Sequence, residues 1–205
     1  MLPEMTVIAL KTDPSQHVPT AFQTKRSSLL RLYLIRGLLA LAWAGIFFQA
    51  HITLDALAIT LLIVYPLIDA VSSLVDFVSM QDGSERRITA FNALLSTVAA
   101  IAMGVAGNFG VATALVTFGA WAVVAGAAQF VLGLRRRGNE LGRQWPMLIA
   151  GGLSFLVGID YAIQAAGAKP SLNVLAIYAT GGGAFFIIQA GLLAWRSRQQ
   201  RQAMH

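Results

Sequence analysis

The chain predicts an all-α integral membrane protein with six transmembrane helices, built as three pseudo-repeated antiparallel hairpins. Three observations carry this. Six apolar runs follow one another along the 205 residues, each long enough to cross a hydrocarbon core of about 30 Å at about 1.5 Å per residue. Of the 15 Lys and Arg, only Lys169 falls in an odd-numbered connection. The others lie in the tails, in the second and fourth connections, or in the helix ends beside them, which predicts cytoplasmic N- and C-termini. Finally, the chain repeats itself. Arg36-Gly37-Leu38-Leu39-Ala40 overlays Asn92-Ala93-Leu94-Leu95-Ser96, and Ile68-Asp69-Ala70 overlays Val124-Ala125-Gly126. The third pair fits with a few extra residues in its outer loop.

Composition agrees. The chain is 57% hydrophobic and 12% charged, about half the charge of a soluble domain. The net charge of +6 does not point to nucleic acid, because the basic residues flank apolar spans instead of forming one soluble face. They orient the chain and meet anionic headgroups. The absence of cysteine excludes disulfides, thiolate metal sites and thiol catalysis. No motif for catalysis, metal or cofactor binding stands out, so the expectation is a non-enzyme with no catalytic residue, no metal and no cofactor.

Residues 1–28 form a cytoplasmic N-terminal tail, partly disordered. Glu4, Asp13, three prolines and the lack of an apolar core with a cleavage site exclude a signal peptide. The membrane domain covers 29–195. Its spans are Leu29 to Ala50, Asp55 to Val78, Ile88 to Gly107, Phe109 to Leu134, Trp145 to Gly167 and Ser171 to Trp195. They are too long and too continuously apolar for barrel strands, which alternate. The connections are short, so neighbouring helices run antiparallel. Asp82-Gly83 in the second connection is a turn signal. Trp145 and Trp195 sit where interfacial aromatic anchors belong. A basic cytoplasmic tail, 196–205, ends the chain.

Small residues supply the packing logic, since lipid provides no hydrophobic drive between helices. Ala150, Ser154, Gly158, Ala162 and Ala166 recur at every fourth position of the fifth run and predict a helix-packing face. Gly181-Gly182-Gly183 lies inside an apolar helix, where a bend or a tight crossing fits better than a phosphate loop.

Polar residues at membrane depth are the candidate site. Counted from the first outer loop, Arg36 and Asp69 reach the same depth, which predicts an intramembrane charge pair. Arg31 and Asp76 stand level in the same way, nearer the surface. Each pair reads either as a staple fixing hairpin register or as a proton- or anion-responsive site. The positions matching Arg36 and Asp69 in the second repeat are neutral, Asn92 and Ala125. Pro66, one turn before Asp69, predicts a kink that frees the carbonyl of Leu62. His51 and Asp55 flank the first outer loop at a spacing of four and read as a pH-sensing pair or as an interfacial cap. Asp160 is an isolated carboxylate in the outer part of the fifth span: protonated, hydrated or paired with Lys169. Gln129, Gln164 and Gln189 read as interhelical hydrogen-bonders. Trp43 and Trp121 read as packing residues.

The segment Leu34 to Gly45 (LIRGLLALAWAG), the short outer loop and Ile68-Asp69-Ala70-Val71 resemble the HdeD-type small membrane proteins, the DUF308 short-repeat family. The likeness covers about residues 29 to 195, with His51-Ile52-Thr53 where that family's first hairpin carries a proline. The resemblance implies six spans in a bacterial inner membrane, a part in acid or other stress resistance, and no established enzymatic activity. Three functional readings stand: a non-enzymatic stress-related protein of HdeD type, a small transporter or channel with an intramembrane Arg/Asp site, and a structural subunit docking partner helices. The expected partner is the lipid bilayer, with a homo-oligomer or another membrane protein as further candidates.

Overall fold

Helices begin and end where local chemistry dictates. The computed structural model describes residues 18–50, 52–80, 83–137 and 144–202. Helices α1 (Val18–Ala50), α2 (Ala56–Ser79), α3 (Ser84–Ala106), α4 (Val111–Arg135), α5 (Trp145–Ala165) and α6 (Asn173–Gln202) follow in order, with one 3-10 turn, Gly107–Phe109, after α3. Among the described residues there is no strand. Asp55 caps α2, its carboxylate accepting from the Ala58 amide at 2.9 Å. Gly110 breaks the α3–α4 run with φ +101°, a conformation that a residue with a Cβ rarely adopts. Pro146 opens α5, where a missing N–H leaves no helical bond unmade.

Two boundaries differ from the sequence expectation by more than four residues. Helix α1 starts at Val18, well before Leu29, and α6 continues past Trp195 to Gln202. The polar extensions contain good helix formers, Arg and Gln, and Pro19 stands in the first turn, the place a helix accepts it.

All six helices are long and apolar enough to cross a membrane. The outward faces are apolar, with Leu38 60%, Leu94 65% and Ile101 67% exposed. In water such a surface would be a liability; in a bilayer it is the solvent-facing side. The chain is therefore an integral membrane protein, and six crossings return both termini to one side.

The helices form a closed ring in sequence order, α6 packing back against α1. Sequential helices are antiparallel neighbours, as hairpins require. The closest seams nevertheless fall between hairpins: α2 with α3, α4 with α5, and α1 with α6. Glycine explains two of them. A Cβ on Gly158 would stand 2.5 Å from the Gly119 carbonyl, and one on Gly126 would stand 2.7 Å from the Gly151 carbonyl. A Cβ on Gly37 would stand 2.9 Å from the Gly183 carbonyl. Backbones touch at these points, and dispersion replaces the missing hydrophobic drive. Gly183 thus marks a tight crossing.

The packing face of α5 is rotated from the one expected. Ser154 and Gly158 are buried and face α4, whereas Ala162 and Ala166 are exposed and Ala150 is only half-buried. Four residues turn an α-helix by about 400°, so a strict i+4 row drifts about 40° per step. The true seam is spaced by seven, Gly119/Gly126/Gly133 against Gly151/Gly158, which keeps one face toward the neighbour.

The half of the ring away from the termini is filled. Trp43, Phe47, Leu62, Met103, Leu115, Phe118, Leu172 and Leu175 are buried there. Tyr65 is its aromatic hub, 4.5 Å from Trp43, 5.8 Å from Phe118 and 6.1 Å from Tyr178 between ring centroids. The half nearer the termini is not filled, and the candidate site lies there.

Candidate functional site: a polar cavity inside the ring

A cavity of about 400 Å³ occupies the ring on the terminal side and continues as a crevice between α5 and α6. Its deepest polar feature is Asp69. One carboxylate oxygen accepts from Arg36 on α1; the other accepts from Asn92 Nδ2 and Ser96 Oγ on α3, both at 2.7 Å. Ser96 Oγ in turn accepts from the Trp121 indole on α4 at 2.9 Å. The second Asn92 N–H goes to Ser73 Oγ at 2.9 Å. The Arg36 guanidinium lies 4.6 Å from the centroid of the Phe186 ring on α6. One carboxylate therefore gathers side chains from α1, α3 and, through Ser96, α4.

The energetics explain the crowding. An isolated charge at membrane depth costs at least about 2.5 kcal/mol. Pairing alone does not recover that; the remaining lone pairs must also be filled. Asn92 Oδ1 is the exception, a buried acceptor without a protein partner.

Nearer the termini a second ion pair closes the cavity. Asp76 accepts from Arg136 at 2.6 Å, with 6% and 2% of their side chains exposed. Arg136 also donates to the Tyr33 hydroxyl at 3.1 Å, and its Nε stands 3.5 Å from Glu85. Burial works against the charge on Arg136, but Tyr33 and Asp76 outweigh it and raise the guanidinium above its ordinary value.

This corrects one expected pair. Arg31 is exposed and forms no ion pair among the described residues; the partner of Asp76 is Arg136. Level depth is not enough. Asp69 and Asp76 are seven residues apart and share a face of α2, whereas Arg31 and Arg36 are five apart and point about 140° away from each other. Arg36 faces the cavity, so Arg31 faces outward. Arg136 was legible only as one of four arginines in a basic connection. Nothing in its spacing says that it turns inward.

The remaining candidates sort plainly. Asp55 is the cap of α2, and His51 lies outside the described residues. Asp160 lines the crevice and accepts from Gln164 one turn on; it makes no ion pair with Lys169. Gln164 thus bonds within its own helix, Gln129 lines the cavity, and Gln189 bonds across to Gln144 at 2.5 Å. Trp43 and Trp121 are buried and are also donors, Trp43 to the Leu61 carbonyl at 2.7 Å. That carbonyl is one residue before the one Pro66 deprives of its helical donor. Tyrosines were missed altogether. Ser154 Oγ donates to the Ala122 carbonyl at 2.9 Å, which leaves the Tyr178 hydroxyl to donate to Ser154 at 2.7 Å.

Chemically the cavity offers two neutralised guanidiniums, one carboxylate without a cation, several hydroxyls and aromatic walls. No group of three or more potential metal ligands occurs among the described residues. No protein-family model, no curated protein and no solved structure matches the chain.

Proposed function

We propose that the chain is a small non-enzymatic membrane transporter whose solute passes through the polar cavity. One observation carries this reading: the Arg36–Asp69 ion pair and a separate carboxylate, Asp160, line a single cavity at membrane depth. A staple needs no such space. Intramembrane charges that share a cavity are the usual mark of a solute or proton path. Sidedness follows from the basic residues, which put both termini in the cytoplasm; a bacterial inner membrane is what the resemblance to the HdeD-type proteins implies. Resemblance to the HdeD-type proteins supports stress resistance as the setting in which this transport operates.

The subunit reading is weaker. The glycines of α4 and α5, and Gly37 with Gly183, spend their small surfaces inside the ring, which leaves less for a partner helix.

The chain has no cysteine, so single introduced thiols report cleanly. Ala128→Cys, lining the cavity, is expected to react in the membrane with a charged, membrane-impermeant thiol reagent; Leu94→Cys, facing lipid, is not. Proton flux into proteoliposomes is expected to fall in Asp69→Asn with folding intact. An unreactive Ala128→Cys would remove the path.

A further inference from the structure

The seam between α5 and α6 is bridged rather than packed. The Tyr161 hydroxyl donates to the Val174 carbonyl at 2.9 Å, and Tyr178 meets Ser154 at 2.7 Å. Tyrosine side chains thus span a gap that glycine seams close elsewhere in the ring. Space persists beside them. A Cβ on Gly181 would meet nothing within 4 Å, and one on Gly182 would meet only the Tyr65 hydroxyl, at 3.6 Å. Leu153 and Ile177 line this crevice and are exposed toward lipid. It is open sideways.

We infer that this crevice binds an amphiphile carrying a protonated amine, its apolar body between α5 and α6 and its ammonium on Asp160. Charge decides the class. Of the charged groups lining the cavity, Arg36 is held by Asp69 and Arg136 by Asp76. Asp160 is left, exposed, its carboxylate accepting only from the Gln164 amide among the described residues. An anionic ligand finds both guanidiniums engaged. A purely apolar chain leaves the carboxylate uncompensated in lipid. Asp160 stands five residues before the end of α5 at Ala165, about 7.5 Å along the helix, so an ammonium reaches it by dipping below the headgroup level into the crevice. The inference rests on the transport reading and deepens it by naming the ligand class, whether an aminophospholipid or a free amphipathic amine.

The test uses the full-length protein in phosphatidylcholine nanodiscs, with dodecylamine as probe and dodecanol as its uncharged match. Wild type is expected to bind dodecylamine about tenfold more tightly than Asp160→Asn does, with equal binding of dodecanol. Gly181→Leu, which fills open space, is expected to abolish binding of both. Equal dodecylamine affinities in wild type and Asp160→Asn overturn the ammonium placement. Wild-type affinities in Gly181→Leu overturn the crevice. Phosphatidylethanolamine enriched over phosphatidylglycerol in the retained lipid assigns the site to a lipid headgroup; dodecylamine binding without that enrichment assigns it to a free amine. If Ala128→Cys labels while Asp160→Asn changes nothing, the amine assignment falls and the transport path stands.

Discussion

Replacing Asp69 tests whether one carboxylate organises the cavity. Asp69→Leu removes the acceptor for Arg36, Asn92 and Ser96 together. Breaking one side of a buried ion pair costs about 3–5 kcal/mol, because the surviving charge stays buried without a partner. Both side chains keep 15% of their surface exposed, so the lower end, about 3 kcal/mol, applies. The double variant Arg36→Met/Asp69→Leu leaves no charge behind. Its expected cost is about 1 kcal/mol, from the stranded Asn92 and Ser96 donors. The Asp69→Leu and Arg36→Met effects should therefore be strongly non-additive, with a coupling of at least about 2 kcal/mol. Unfolding in mixed detergent micelles measures it, and Trp121, bonded to Ser96, is a fluorescent reporter inside the network. The exchanged pair, Arg36→Asp with Asp69→Arg, should recover less than the double apolar variant. An arginine at position 69 would face the Asn92 and Ser96 donors, which would have to turn round to offer it their oxygens. A coupling below about 0.5 kcal/mol, the additivity limit for independent sites, would refute the pairing.

Two further outcomes follow from the same geometry. Arg136→Gln, which strands the buried Asp76, is expected to lose about 3 kcal/mol or more, whereas Arg31→Gln, on an exposed face, stays within about 0.5 kcal/mol; the same micelle unfolding compares them. Gly158→Leu drives a side chain into the Gly119 carbonyl and is expected to abolish a folded ring by size-exclusion chromatography, while Ala162→Leu, exposed on the same helix, leaves the profile unchanged.

Hydropathy and charge placement are properties of the linear chain, so they determined the six spans and the antiparallel order. Lipid imposes the rest of that result, because only a helix satisfies its own backbone there. The Arg36–Asp69 pair was legible for a related reason: hairpin geometry converts distance from a loop into depth. Angle around the helix is not conserved by that conversion. It separated Arg31 from Asp76 and turned the i+4 row of α5 away from its neighbour. Asn92 and Ser96 join the site across the α2–α3 seam, whereas Arg136 and the tyrosines join it only because the ring closes and brings α4, α5 and α6 around the same space. Ring closure depends on which faces admit backbone contact, and that choice is made among all six helices at once. The cavity is what those contacts leave unfilled, so it exists in the tertiary structure and nowhere in the order of residues.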